Sequence, residues 1–241
     1  MKPSEKWLRV IRFRRFSTVG LLISLVVLFI CAPVVEEFKV GDIVVTVLFS
    51  LVLLAGVLAV ADRKRMLVFA IVLVIPAIVG RWINHFRPDL VSAAVFLISA
   101  LILVAFVVGN LLRFVLRAPS VTVDVLCASI AAYLMLGLMW AMAYWLVDQI
   151  TPGGAFSFNT NAGPRSMKGF TGFYFSFITL TTVGYGDITP VSKAARWLAA
   201  MEAMTGSLYI AVLIARLVSL YSTSKSHEHR ESESEHRSGR R

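Results

Sequence analysis

The segment from Phe170 to Asp187 reads FTGFYFSFITLTTVGYGD, and its end, Thr181 to Asp187, holds the least ordinary chemistry of the chain. Gly184 and Gly186 alternate there with Val183 and Tyr185. Each glycine costs about 1 kcal/mol inside a helix and readily takes a positive φ, so the string is a poor continuation of the apolar run before it. It can instead expose its backbone carbonyls, and the natural occupant of a path lined by them is a cation.

The elements that must position this string are set by hydropathy. The chain has 241 residues, of which 58% are hydrophobic and 16% charged, and its mean hydropathy is +0.78. Such a composition belongs to integral membrane proteins. A bilayer core of about 30 Å needs about 20 apolar residues in helical form. Six stretches approach that length: Ser17 to Val35, Ile43 to Ala61, Met66 to Ile83, Leu90 to Leu112, Val125 to Val147 and Ala194 to Leu220. Phe170 to Leu180 is too short to cross and is expected to be a re-entrant helix. Backbone that is not helical at membrane depth is tolerated only where protein buries it or it lines a watery path.

The first stretch follows Lys2, Lys6, Arg9, Arg12, Arg14 and Arg15, a flank that a signal peptide would share. No small-residue cleavage site follows it, and Leu28, Phe29 and Ile30 before Cys31 argue against lipoprotein processing, so a retained helix is expected. The formal charge of +10 lies in links between apolar stretches, a topology signal and not a nucleic-acid face. With the N-terminus inside, Asp62, Arg63, Lys64 and Arg65 and the pair Arg113 and Arg117 also fall inside, while Glu36, Glu37 and Asp42 fall outside. Arg81 and Arg87 fall outside too, against the rule. Cys31 and Cys127 sit in apolar runs as small hydrophobes. The tail from Ser222 to Arg241 is nearly free of apolar residues and is expected to be disordered. His227, His229 and His236 within it lack the scaffold of a metal site.

TTVGYGD, Thr181 to Asp187, resembles the signature of the potassium channel family, and the likeness extends over about Thr122 to Leu220. The resemblance implies an all-α integral membrane fold with six transmembrane helices, a re-entrant pore helix and filter between the fifth and sixth, and a tetrameric pore. Its parts would be a basic cytoplasmic N-terminus (1–16), a four-helix transmembrane domain of degenerate sensor-like kind (17–117), a pore domain (118–221) and the tail (222–241). Carbonyls of Thr182, Val183, Gly184 and Tyr185, with the Thr182 hydroxyl, would bind K+ in succession, Gly186 completing the filter. Val183 and Tyr185 would point away from the ions. Four copies of Asp187 would either concentrate cations at the outer mouth or anchor the filter. The pore helix would turn its partly negative C-terminus toward the cavity. Tyr174 and Phe175 stand where many relatives carry paired tryptophans, and Ile178 where some carry a glutamate that pairs with the filter aspartate.

Three residues of the last helix stand out. Gly206 falls at the position of the family's proposed hinge, counted from Pro190, with close helix packing as the competing reading. Glu202 is a carboxylate inside an apolar span, read as a hydrogen-bonded structural acid behind the filter or, alternatively, as a pH-sensitive gating group. Arg216 either snorkels to the interface or lines the pore entrance. The layout is that of voltage-gated channels, yet Leu90 to Leu112 has no positive residue. Sensing needs several, so little voltage dependence is expected.

The expected protein is a homotetramer in a cell membrane of bacterial inner-membrane type, with both termini cytoplasmic. K+ is its permeant ion, no cofactor or nucleic acid is expected, and a regulatory ligand or subunit stays open. A nonselective cation channel is the nearest alternative. A proton-coupled transporter would need more ionisable groups than Glu202 within its helices, and an enzyme would need a nucleophile or ligand cluster that the chain lacks.

Overall fold

The computed structural model describes all residues except 1–4, 37, 39–40, 60–63, 88–92, 160–164 and 239–241, and for 5–17, 64–65 and 220–238 it describes the backbone alone. The N-terminal basic side chains and the whole charged link from Asp62 to Arg65 thus lie outside the described side chains. The elements are α1 (Glu5–Val35), α2 (Gly41–Ala59), α3 (Lys64–Phe86), α4 (Ala93–Arg117), α5 (Val123–Ile150), β1 (Phe156–Phe158), α6 (Phe170–Leu180), β2 (Ile188–Pro190) and α7 (Lys193–Ser238). Six of the helices are long and apolar enough to cross a membrane, and α6 is shorter.

The first four helices pack in sequence, α1 on α2, α2 on α3 and α3 on α4, with α2 also reaching α4. Both α1 and α4 pack on α5, which also contacts α6 and α7. α5 starts cleanly because Thr122 accepts the Val125 N–H with its hydroxyl, at 3.3 Å, an N-cap of the usual kind. One apolar cluster runs from Leu21, Leu25 and Leu28 of α1 through α4 to Met135 and Leu138 of α5, ending on Phe173 of α6. A second joins Tyr144 of α5, Phe156 of β1, Phe175 and Ile178 of α6 and Ile188 of β2.

Arg81, the residue that broke the charge rule, has a structural explanation. It is only 7% exposed, its Nε donates to Thr46 Oγ1 at 3.2 Å, and its guanidinium lies over Trp145 at 5.5 Å and 3.6 Å from Asp42. A cation so held joins α2, α3 and α5 and carries no information about sidedness.

The expected first span, Ser17 to Val35, is met by Thr18–Val35 within a helix that begins at Glu5. The structure departs from expectation in two places. A two-stranded antiparallel ribbon pairs Phe156 with Pro190, Ser157 with Thr189 and Phe158 with Ile188, too short for periodicity to reveal. The backbone of the tail expected to be disordered continues α7 to Ser238. Lack of apolar residues removes a reason to dock, but it does not stop a helix whose bonds are local, and no Pro or Gly intervenes between Gly206 and Gly239.

Candidate functional site

α6 ends by handing its last carbonyls to the residues that follow. Thr181 N–H donates to Phe177 O at 3.0 Å, Thr182 N–H to Thr179 O at 2.9 Å, and the Val183 and Gly184 N–H groups to Ile178 O at 2.8 and 3.1 Å. The orphan carbonyls of a helix C-terminus are thereby satisfied. The donors of the string are turned back toward α6, and among the described residues no donor reaches the carbonyls of Thr182, Val183, Gly184 or Tyr185.

Backbone conformation alternates along the same residues: φ is 60° at Thr182, 54° at Gly184 and 80° at Gly186. Alternating left- and right-handed residues turn successive peptide planes the same way, unlike a strand. Glycine takes these angles freely. Thr182 does not, because its branched Cβ crowds the backbone there, and it is the one described residue other than glycine with positive φ. Such an outlier persists only where its surroundings over-determine it.

The far end of the string is tied down by residues that the sequence did not single out for this. Asn159, just after β1, donates its N–H to Asp187 O at 2.8 Å and its Nδ2 to Gly186 O at 2.9 Å. Tyr174 Oη donates to Asp187 Oδ2 at 2.7 Å. Asp187 is thus held from behind by Tyr174 of α6. Phe175 is buried among Tyr144 and Phe156.

Glu202 is 0% exposed and lies behind α6, within its own chain. It accepts from Tyr144 Oη and from Ser176 Oγ at 2.5 Å, and Ser176 Oγ also lies 2.8 Å from Gly137 O. One carboxylate therefore joins α5, α6 and α7. Gly206 sits against the end of α6, and a Cβ there would meet the Leu180 carbonyl. Close packing accounts for that glycine without any bend. Gly137 does the same from α5, since a Cβ would come within 2.5 Å of the Phe177 ring. Lower on α7, Tyr209 Oη donates to Ser129 O at 2.6 Å, and Arg216 Nη2 donates to Ala118 O, between α4 and α5, at 2.8 Å. Arg216 is thus engaged with the α4–α5 connection.

Val183 and Tyr185 are 52% and 72% exposed on the single chain. Cys31 and Cys127 are free, and among the described residues no group of three His, Cys, Asp or Glu side chains could hold a metal ion.

Comparison with known proteins places this arrangement. A family model described as "Ion channel" matches residues 122–223, the stretch from the α5 cap through α6 and the string into α7. Protein LctB of Bacillus caldotenax is 32% identical over 99 residues, which cover 40% of this chain and 72% of that protein. The voltage-gated potassium channel Kch of Escherichia coli K12 is 51% identical over 43 residues, 18% of this chain and 10% of Kch. The two pore potassium channel b of Oryza sativa subsp. japonica is 30% identical over 87 residues, 36% of this chain and 21% of that protein. The chain thus spans most of LctB but only a small part of the two named potassium channels. On the match to LctB, the family model and the helical membrane architecture, the chain belongs to the ion-channel family that includes these potassium channels.

Proposed function

We propose that the chain is one subunit of a potassium-selective channel whose filter is Thr182, Val183, Gly184, Tyr185 and Gly186. The observation that carries this reading is the run of carbonyls from Thr182 to Tyr185 that no donor reaches among the described residues, with positive φ at Thr182, Gly184 and Gly186. Neutral carbonyl dipoles replace the hydration shell of K+ without a full negative charge that would trap it. The Thr182 hydroxyl adds a site at the inner end, and the α6 C-terminus adds its partial negative charge below. Asp187, held by Tyr174, anchors the outer end and adds negative potential there.

One chain offers one strand of carbonyls, so the site is complete only when copies surround an axis. A homotetramer meets that need. Exposed Met204, Leu208 and Val212 of α7, with Val183 and Tyr185, support it, because they leave an apolar face that further copies and lipid would cover. The preponderance of basic residues at the N-terminus and around Arg113 and Arg117 supports cytoplasmic termini. α4 has no positive residue before Arg113, which supports opening with little voltage dependence.

The test is potassium flux into liposomes holding the purified chain. Passive K+ flux that exceeds Na+ flux, and loss of that preference in Gly184→Ala, supports the reading. Equal flux of the two ions would make the pore nonselective, and stoichiometric proton movement would make the protein a transporter.

A further inference from the structure

α6 lacks a side-chain cap of its own: the residue before it is Gly169, at φ 68°. The acceptor comes from the end of α1, where Glu36 Oε1 takes the Phe170 N–H at 2.8 Å across 134 positions of sequence. A Cβ on Gly169 would run into that carboxylate, so the glycine and the glutamate are a matched pair. Negative charge at a helix N-terminus is favoured by the helix dipole. Here it also ties the four-helix part of the chain to the helix that supports the filter.

Glu36 is set among other charges. Asp42, at the start of α2, lies near it, with Oδ1 3.3 Å from Lys168 Nζ and 3.6 Å from Arg81 Nη2, and Oδ2 2.7 Å from His85 Nδ1. Asp42, Lys168 and Arg81 all act electrostatically on Glu36. From the end of α5, Asp148 holds the same loop, accepting the Ala155 N–H at 3.0 Å and the Met167 N–H at 3.3 Å. The charges that act on Glu36 thus come from α2 (Asp42), α3 (Arg81) and the approach to α6 (Lys168).

Taking the proposed channel as its basis, we infer that Glu36 is a positioning residue for the filter and a proton-binding site through which pH on the filter-mouth face sets the current. Ionised, Glu36 clamps the first turn of α6. Protonated, it keeps at most a neutral hydrogen bond, about half as strong, and loses its attraction to the helix end and to Lys168.

Partial burial holds the Glu36 carboxyl above the usual glutamate value, the Phe170 N–H opposes this, Asp42 adds to it, and Lys168 and Arg81 pull it back. With the pKa raised above the usual glutamate value, the ionised clamp is lost as pH falls through the raised value. The same sign makes this group's contribution to folding stability grow toward acid. The current therefore falls with acid while the fold does not.

The experiment uses the full chain in planar bilayers with equal K+ on both sides, the mouth-side pH being stepped from about 7.5 down through the ordinary glutamate range to about 4. Wild type is expected to lose current by about two- to fivefold. Glu36→Gln, which cannot titrate, is expected to be flat over that range and to sit near the acid level throughout. Lys168→Met, at an exposed site, removes a cation that favours the ionised form and is expected to move the midpoint toward neutral. A Glu36→Gln channel with the wild-type profile, or a Lys168→Met midpoint left in place, overturns the inference. Potassium current indifferent to pH in wild type overturns this inference alone, whereas no potassium current at any pH overturns the channel reading as well.

Discussion

Tyr174→Phe removes one oxygen and almost no volume, which makes it the cleanest perturbation of the string's outer end. Tyr174 Oη donates to Asp187 Oδ2 at 2.7 Å, and among the described residues Asp187 Oδ1 has no partner. A hydrogen bond to a charged acceptor contributes about 1.5–3 kcal/mol. Asp187 is only half-buried, so solvent replaces part of this and about 1–2 kcal/mol is expected. If the bond holds the conducting shape of the filter against a collapsed one, its loss shifts that balance by about 5- to 30-fold. In patch recordings of sustained K+ current, the variant should decay faster or to a lower plateau, while the fold, judged by thermal melting, shifts little. The two Asn159 bonds to the Asp187 and Gly186 carbonyls remain, so the filter should still open initially. Unchanged current kinetics would refute the reasoning that Asp187 is anchored through Tyr174.

Glu202→Ala leaves Tyr144 Oη buried without its acceptor while Ser176 keeps Gly137 O, and should destabilise the protein by about 1–3 kcal/mol. Glu202→Gln should cost much less, as measured by melting in detergent. Gly206→Ala drives a methyl into the Leu180 carbonyl and should lower stability by about 1–3 kcal/mol. A variant that melts like wild type but opens differently would favour a hinge. Macroscopic currents measured on voltage ramps should lack steep activation, because α4 offers no charge series to the field. Steep opening within the physiological range would contradict this.

The six spans were legible because each is a long apolar run, and the string because its residues are contiguous. A helix too short to cross, followed by alternating glycines, implies presented carbonyls whatever comes before it. Glu202 was legible as an anomaly, being a carboxylate in an apolar stretch. Its partners were not, since Tyr144 and Ser176 meet it only through the packing of α5, α6 and α7. Tyr174 was noted as a departure, but where its hydroxyl goes depends on how the backbone turns after Gly186. The Glu36 cap was invisible for a plainer reason: a helix normally draws its cap from the adjacent residue, and here the adjacent residue is a glycine that makes room for a carboxylate from α1. Arg81 looked like a topology error because charge counting takes no account of burial. The ribbon between β1 and β2 escaped because three residues cannot display a period.

The central claim is that the carbonyls from Thr182 to Tyr185 select potassium. The most direct measurement is the reversal potential of the reconstituted chain with K+ on one side and Na+ on the other. A strongly shifted potential, equivalent to a preference for K+ of about tenfold or more, in which each tenfold is about 1.4 kcal/mol, is the predicted result. A potential at zero under that gradient would contradict it.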